Sequence, residues 1–170
     1  MGGNAMTTDF LKECMADSLL KLMQKKEFSK ITINEIAQEA GVNRSTWFRN
    51  FTTKNEALTF KLVHAWERWA REHALTAIPL YTLEHAREFF QFNYENRTTV
   101  NIICQANLHS VIYAAFYQVM MPQFGADPMG RYERRFYANG MFGLLDEWRK
   151  RDYQETPEEM TQLFLHIIHQ

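Results

Sequence analysis

The sequence is poor in residues that interrupt secondary structure, with four prolines and seven glycines among 170 positions. It has only two cysteines, Cys14 and Cys104, which are too few and too distant for a disulfide framework. The first residues contain no basic stretch followed by an apolar run and a cleavage site, so nothing indicates a secretory signal. We therefore expect a cytoplasmic protein with two free thiols.

An excess of charge of either sign is also absent. Nineteen lysines and arginines stand against twenty aspartates and glutamates, and the net charge is −1. This balance excludes a polybasic binder of the histone type, so any affinity for nucleic acid must come from individually placed contacts. With 46% hydrophobic and 14% aromatic residues, the chain has the apolar content of a soluble fold rather than of a disordered tail.

A long stretch without charged side chains lies between Arg97 and Asp127 and must be weighed against a membrane span. Polar side chains interrupt it, so about 20 predominantly apolar residues never occur together. The polar residues are Asn101, Gln105, Asn107, His109 and Gln118. The stretch indicates a helix buried inside protein, and we expect no membrane contact.

Helical spacing of apolar residues dominates the chain and predicts an all-α fold of about eight or nine helices. The first helix is expected over residues 8–26, where apolar residues recur every three or four positions. Thr32 and Glu35 match a capping box, in which each side chain accepts a hydrogen bond from the other residue's backbone amide, and this opens the second helix. Gly41 supplies the left-handed residue that ends it.

A third helix follows the glycine turn, with Asn43 as its N-cap and Arg44 as its first residue, so the pair forms a helix-turn-helix. Thr53 and Glu56 match a second capping box, which opens a longer helix running toward Pro79. Beyond Pro79 we predict a helix capped by Thr82, followed by an uncharged helix over 98–121 and a loop over 122–128. The Asp127–Pro128 cap then opens a helix that runs to Arg151, and a Thr156–Glu159 box opens the last helix.

This pattern divides the chain into two predicted units. Residues 1–53 form the helix-turn-helix DNA-binding domain, and residues 54–170 form a helical regulatory and dimerisation domain. The first unit carries seven basic and six acidic residues, a net charge of +1, and the second a net charge of −2. The asymmetry is small, so nonspecific affinity for DNA should be modest and two half-sites should be needed.

The segment ITINEIAQEAGVNRSTWFRNFTTKNEAL, residues 31–58, combines an amphipathic helix, an Ala-Gly-Val turn, an aromatic-rich helix ending in Phe, and a lysine-containing cap. It closely resembles the DNA-binding signature of the tetracycline-repressor (TetR) family. The segment FYANGMFGLLDEWRKRDYQETPEEM, residues 136–160, is similar to the short regulatory domain of some members, including regulators of dihydroxyacetone kinase. The resemblance implies an all-α homodimer, a pseudo-palindromic operator of double-stranded DNA, and usually a small-molecule effector that releases a repressor.

The main DNA-contact candidates lie on the third helix. Arg44 is placed at its start to pair with guanine O6 and N7 in the major groove or, equally well, to contact a phosphate. Phe48 takes a position commonly held by tyrosine in the family, and its ring is expected to touch a sugar or a thymine methyl, or to pack at the domain surface. Trp47 lies on the opposite face and is expected in the core with Leu19, Ile36 and Phe51.

Other polar residues around the same helix complete the candidate DNA interface. Short hydroxyls on its first turn suit a base or a phosphate, and basic or amide groups near its end match phosphate- or base-contacting positions. A lysine at the start of the next helix suits a phosphate, and two residues at the start of the second helix suit the DNA backbone. These candidates are Thr32, Asn34, Ser45, Thr46, Arg49, Asn50 and Lys54.

A candidate effector site lies in the second unit. In the predicted uncharged helix, Asn101, Gln105 and His109 recur every four residues and form one polar line. The line is expected either to bind a ligand or to satisfy neighbouring helices and solvent. Aromatic residues complete the candidate pocket, which would take a neutral or lipophilic effector, and these are Trp66, Trp69, Phe89, Tyr113 and Phe116.

The last two predicted helices offer a candidate dimer surface. Two glycines allow close backbone approach and four apolar side chains provide burial, in the manner of a four-helix interface. The residues are Gly140, Gly143, Leu144, Trp148, Leu163 and Ile167. Packing within one chain is the other interpretation of these residues.

No motif indicates an enzyme, because the sequence lacks a glycine-rich phosphate loop, a Gly-x-Ser-x-Gly elbow and a His-Glu-x-x-His helix. His166 and His169 are three residues apart, but no further ligands lie at suitable spacing, so we expect no metal site and no cofactor. The competing function is an adaptor that uses the helical fold to bind another protein. The basic residues of the third helix favour direct DNA binding.

Overall fold

A computed structural model describes residues 3–75, 83–120 and 125–168. Regular structure in these ranges is helical throughout, which confirms the all-α prediction. The helices are α1 (Gly3–Met23), α2 (Ile33–Glu39), α3 (Arg44–Asn50), α4 (Lys54–Glu72), α5 (Leu83–Glu95), α6 (Arg97–Gln105), α7 (His109–Met120), α8 (Pro128–Lys150) and α9 (Pro157–Ile168), with a short 3-10 turn at Phe28–Lys30 between α1 and α2. No described helix is both long and apolar enough to cross a membrane.

The start and the end of α2 form as predicted. The Glu35 amide donates to Thr32 Oγ1 at 3.3 Å, and the Thr32 amide donates to Glu35 Oε2 at 2.8 Å. At the other end Gly41 has a φ of +67°, and the amide of Val42 reaches back to the Ala37 carbonyl at 2.9 Å. This is a Schellman motif, and it sets the turn between α2 and α3.

Other helix ends differ from the sequence prediction. The first helix covers 3–23 instead of 8–26, and Asn43 makes no side-chain capping bond to α3. The Glu56 carboxylate accepts from the Thr52 amide at 2.7 Å rather than from Thr53, whose hydroxyl still accepts from the Glu56 amide. Helix α4 ends at Glu72, and the predictions for Pro79, Thr82 and the first part of the 122–128 loop lie outside the described residues.

The single uncharged helix predicted over 98–121 is wrong, because the structure has two helices, α6 and α7, in its place. Asn107 adopts a φ of +59° and ends α6 in a second Schellman motif. Its amide donates to the Cys104 carbonyl at 2.9 Å, and the Leu108 amide donates to the Ile103 carbonyl at 3.1 Å. Asparagine tolerates the left-handed conformation better than other side chains, which explains the break at this position.

The core that holds the helix-turn-helix extends into the second half of the chain. Trp47 is fully buried, and its ring centroid lies 5.2 Å from that of Phe51. This confirms the predicted core position of Trp47. The same cluster includes buried residues of α1, α2 and α4 together with residues of α6 and α7, namely Met15, Leu19, Ile36, Leu58, Ile103, Cys104, Val111 and Ile112. The boundary between residues 53 and 54 stays a prediction, since the described residues form no separate N-terminal core.

A second cluster joins α5, α8 and α9. Phe90 lies edge-on to Trp148, with ring centroids 5.9 Å apart, and Phe164 lies 6.0 Å from Phe90. The Trp148 indole donates to the Glu155 carbonyl at 2.9 Å, which ties the end of α8 to the loop before α9. The C-terminal helices therefore pack on α5 within one chain.

We expect the stability of the protein to depend on which residue stands at the exposed, left-handed position 107 between α6 and α7. Asn107→Val should lower the free energy of unfolding by about 1–2 kcal/mol, because a β-branched residue is strained at positive φ. Asn107→Gly is the matched control and should stay close to the wild type. Urea unfolding measures both variants, and a valine variant as stable as the wild type would contradict the helix break.

Candidate nucleic-acid interface and ligand cavity

Helix α3 has one buried side and one open side. Trp47 faces the core, whereas Arg44, Ser45, Phe48 and Arg49 are exposed along the other side. Because the indole is fully enclosed, the helix cannot rotate about its axis without exposing it. The four exposed side chains thus form a fixed outward edge, which we call the α3 edge.

Three contacts organise the side chains on this helix. The Arg44 guanidinium lies over the Phe48 ring, with its central carbon 5.0 Å from the ring centroid. Arg49 Nη2 donates to Thr46 Oγ1 at 3.2 Å, and the Asn50 amide nitrogen donates to the Thr46 carbonyl at 2.7 Å. Arginines therefore stand at both ends of the edge, while Thr46 and Asn50 are half-buried and bonded within α3.

The start of α2 lies beside a small charged network. Thr32 and Asn34 are exposed, but the Thr32 hydroxyl is used in the cap with Glu35. Lys26 Nζ donates to Glu35 Oε1 at 2.6 Å. The Lys26 hydrogen bond, helped by the Thr32 amide and hydroxyl, lowers the pKa of Glu35 to about 2. The Glu35 carboxylate therefore stays ionised and holds both the helix start and Lys26.

Lys54 has a role that the sequence did not indicate. Its ammonium donates to the Phe28 and Ile31 carbonyls and lies 4.2 Å above the Phe28 ring. Burial lowers the pKa of Lys54, and the nearby Glu35 carboxylate acts in the opposite direction. The side chain fastens the turn before α2 to the start of α4. A phosphate contact by Lys54 stays a prediction, and only one ammonium hydrogen is left to make it.

Helix α4 is tied to α1 by an ionic cluster. Glu13 Oε1 lies 3.1 Å from His64 Nδ1 and 3.1 Å from Arg68 Nη1. One turn away along α1, Lys61 Nζ lies 2.6 Å from Asp17 Oδ1. Because these contacts line one side of α4, a movement of α4 would be transmitted to α1 and the helix-turn-helix.

The opposite side of α4 borders a narrow cavity between α4, α5 and α7, with a volume of about 30 Å³. Three of the predicted effector residues, Trp66, Phe89 and Phe116, line it. None of its lining side chains carries a charge, and the complete lining is Leu62, Trp66, Phe89, Phe92, Asn93, Asn96, Val100, Ile112, Ala115, Phe116 and Val119. The chemistry of the lining suits an apolar guest with one or two hydrogen bonds, and a guest larger than a water molecule would have to displace lining side chains.

The predicted polar line does not face this cavity, because the break at Asn107 puts its members on different helices and faces. Asn101 accepts from the Tyr153 hydroxyl at 3.4 Å, and Gln105 is exposed at a surface groove beside α1. His109 begins α7 and lies edge-on to Phe142, with ring centroids 6.3 Å apart.

Two predicted aromatics also lie outside the lining. The Tyr113 hydroxyl accepts from Arg135 Nη1 at 3.1 Å, so it belongs to a contact between α7 and α8. Trp69 lies behind the cavity wall, 5.9 Å from Phe92 and stacked on His73. The single-helix polar line, with Asn101, Gln105 and His109 as its members, is therefore wrong, and Trp69 and Tyr113 do not line the cavity.

The polar groups of the cavity are two asparagines that the sequence reasoning missed. The side-chain nitrogen of Asn93 donates to the Phe89 carbonyl at 2.8 Å, and that of Asn96 donates to the Phe92 carbonyl at 2.9 Å. Each amide is thus fixed by the preceding turn, which leaves its oxygen as the acceptor for a guest. The signal in the sequence was a pair of asparagines, one in the aromatic run of α5 and one directly after α5, since polar residues beside such a run must be satisfied.

The candidate dimer surface is only partly as predicted. Gly140 and Gly143 have open space where a Cβ would stand, Leu163 and Ile167 are exposed, and Leu144 is half-buried. Trp148 is wrong as an interface residue, because it is buried within the chain against Phe90. The sequence reasoning missed three exposed residues that extend the surface along α8, namely Met129, Tyr132 and Phe136.

Potential metal ligands are scattered. Among the described residues, no group of three or more histidine, cysteine, aspartate or glutamate side chains is arranged to hold a metal ion. His166 lies in the last turn of α9, and His169 lies outside the described residues.

Comparisons with known proteins agree with this architecture. Residues 17–58 match the family model described as "Bacterial regulatory proteins, tetR family", and residues 81–170 match a TetR-type model described as "Transcriptional regulator C-terminal region". The crystal structure of Lin0861 from Listeria innocua is similar with a TM-score of 0.76 and 11% identity, over 99% of this chain and 94% of that chain. At this identity the similarity shows the fold alone. No curated protein matches the sequence.

We expect the Glu35 carboxylate to make the stability of the protein depend on pH. Its pKa falls from 4.5 to about 2 on folding, so its stabilising effect is complete above 4.5 and is lost as the pH falls through 2. Glu35→Gln keeps a hydrogen-bonding side chain without the charge, and it should melt at a lower temperature than the wild type at pH 7. The difference should shrink as the pH is lowered.

Thermal unfolding between neutral and acid pH measures this effect. The matched control is Glu72→Gln, since Glu72 is exposed at the end of α4 and has no ion-pair partner among the described residues. A difference between Glu35→Gln and the wild type that stays constant over the whole pH range would contradict the assignment.

Proposed function

Because the chain belongs to the TetR family of bacterial transcriptional regulators, we propose that it binds double-stranded operator DNA through the α3 edge and represses transcription until a small neutral or lipophilic effector releases it. The observation that carries the proposal is the exposure of Arg44, Ser45, Phe48 and Arg49 opposite the buried Trp47. Operator binding needs access to the chromosome, so the proposal includes a cytoplasmic location.

The α3 edge would enter the major groove with its N-terminal end toward the bases. Arg44 stands on the first turn, where its planar guanidinium can donate to guanine O6 and N7. Arg49 stands on the last turn, nearer the DNA backbone, and is assigned to a phosphate together with Asn50. Ser45 and Thr46 supply hydroxyls for a base or a phosphate, and the exposed start of α2, with Thr32 and Asn34, supplies a second backbone contact.

A homodimer would present two such edges to a pseudo-palindromic operator, with half-sites about one helical turn apart. The proposed interface is the outer face of α8 and α9, supported by exposed apolar side chains beside two glycines that leave room for a partner helix. The small net charge makes two joined half-sites the main source of affinity. The interface residues proposed are Met129, Tyr132, Phe136, Gly140, Gly143, Leu144, Leu163 and Ile167.

The effector is proposed to bind in the cavity between α4, α5 and α7, which it would widen by displacing lining side chains. An uncharged lining suits a neutral guest, because a buried charge without a partner would be costly. Leu62 and Trp66 place α4 in the cavity wall, and the Glu13 cluster on the other side of α4 links it to α1. A guest that shifts α4 would therefore alter the position of the α3 edge within the dimer.

Two arginine variants test the DNA contact. Arg44→Ala should relax the preference for operator over unrelated sequence by about 1–3 kcal/mol, because a bidentate guanine contact is lost. Arg49→Ala should weaken binding to all sequences alike and lower the salt slope by about one unit, because a phosphate contact is lost. Titrations of the gene's upstream region and of unrelated duplexes at several salt concentrations measure both effects.

The same titrations separate regulation from the adaptor function. Equal effects of both variants on every sequence would contradict the division of roles. Failure of the wild type to protect any upstream sequence at low salt would favour an adaptor that binds another protein.

A second pair of variants tests the cavity. The probes are 1-naphthol, which is neutral at pH 7, and 1-naphthoate, which is charged. The neutral probe should raise the melting temperature and the charged probe should not, because the lining offers no cation. Ala115→Leu extends a side chain into the cavity and should weaken 1-naphthol binding about tenfold or more, by steric exclusion.

The matched control is Ala114→Leu, on the same helix but facing a surface groove, which should bind the neutral probe as the wild type does. Equal binding of the two probes, or equal binding by the two leucine variants, would contradict the assignment of this cavity.

A further inference from the structure

Phe48 is an exposed aromatic ring without a structural role in the chain. Its side chain is 54% exposed, while the other exposed large apolar residues among those described lie on α1 or on the outer face of α8 and α9. Its ring contact in the structure is with the Arg44 guanidinium, at 5.0 Å. Because α3 is proposed to enter DNA, an exposed ring on its outward side would lie directly against the DNA.

The chemistry of the ring limits what it can read. A phenyl group offers no hydrogen-bond donor or acceptor, so it cannot distinguish the polar edges of the bases. In the major groove the one apolar group on any natural base edge is the C5-methyl of thymine. The sugar is the other apolar surface within reach, but it is the same in every nucleotide and carries no sequence information.

The position of Arg44 identifies which thymine is read. Arg44 and Phe48 are four residues apart on α3, so their side chains start about 5–6 Å from each other. This separation is shorter than two base steps of about 3.4 Å each, so the two side chains would reach neighbouring bases. When a guanidinium pairs with a guanine in the plane of that base, the methyl of the thymine on its 5′ side lies against the guanidinium face. The Phe48 ring contacts the same guanidinium, so this methyl would be the nearest apolar group on a base edge.

We propose that Arg44 and Phe48 act as one reading unit for a 5′-TG-3′ step in each operator half-site, Arg44 reading the guanine and Phe48 the thymine methyl. This inference rests on the proposed function, because it assumes that the α3 edge enters the major groove. The contact with the ring restricts the guanidinium, so less side-chain freedom is lost when it pairs with guanine. Phe48 is thus a specificity-determining residue.

Replacing single thymines by uracil tests the proposal, because uracil lacks only the methyl group. The probe is a pool of random-sequence duplexes about 40 base pairs long, enough for two half-sites, from which the wild-type protein enriches its sites. Dissociation constants are then measured for the enriched duplex with uracil at each thymine of one half-site in turn. When uracil replaces the thymine 5′ to the selected guanine, the wild type should bind about fourfold more weakly than it binds the unmodified duplex, as expected for the loss of one buried methyl.

The variants assign that loss to the ring. For Phe48→Ala, uracil at the same thymine should weaken binding by less than about twofold relative to the unmodified duplex, because this variant no longer contacts the methyl. Phe48→Leu keeps an apolar side chain and should retain part of the methyl effect. Phe10→Ala removes another exposed ring, on α1, and should respond to uracil as the wild type does. Thermal unfolding of each variant shows whether it is folded.

The outcomes separate the inference from the proposed function. Enriched sites without a 5′-TG-3′ step, or uracil effects that are equal in the wild type and in Phe48→Ala, would overturn the reading unit while leaving operator binding intact. The second result would assign the ring to a sugar. If no duplex is enriched at low salt, the proposed function itself fails.

Discussion

The enclosure of Trp47 is the constraint on which the rest of the molecule depends. Three short helices bury little surface by themselves, and the indole of α3 contributes the largest fully buried side chain of their shared cluster. Its position decides which residues of α3 remain outside. The direction of Arg44 and Phe48 is thus set by packing on the far side of the same helix. A binding surface of this kind is as rigid as the core behind it.

Helix α4 carries three structural roles on two of its faces. Its first turns, through Ala57 and Leu58, complete the core around Trp47. Farther along, Leu62 and Trp66 border the cavity, and the turns that carry His64 and Arg68 face Glu13 on α1. A helix shared in this way gives the cavity between α4, α5 and α7 a short physical route to the helix-turn-helix. No flexible linker separates the two, since α4 begins only four residues after α3 ends.

The sequence predicted most reliably those features that depend on local hydrogen bonds with a fixed spacing. The Thr32–Glu35 box, the Gly41 turn, the Asp127 cap and the Thr156–Glu159 box are all present. Gly41 was found because glycine favours positive φ. Three further helix ends use the same backbone turn with Ala74, Asn107 and Asp152 at positive φ. None of the three is a glycine, and alanine, asparagine and aspartate also occur inside helices, which is why α6 and α7 were predicted as one helix.

Side-chain partners were harder to predict than helices, because they depend on contacts between elements distant in sequence. Lys54 binds carbonyls more than twenty residues earlier in the chain, and Trp148 packs on α5 rather than on a second copy. The cavity residues likewise include some that the sequence predicted and some that it did not. Trp66, Phe89 and Phe116 were placed by the aromatic pattern, whereas Asn93 and Asn96 depend on how α5 turns against α4 and α7.

The shared hydrophobic cluster also determines how the protein unfolds. Ile103, Val111 and Ile112 belong to the same cluster as the core around Trp47, although they are some fifty residues or more away in sequence. A proteolytic fragment ending before α6 would leave part of the apolar surface of α1 and α4 without cover. We therefore expect the helix-turn-helix to unfold together with α6 and α7 and not to fold as a separate module.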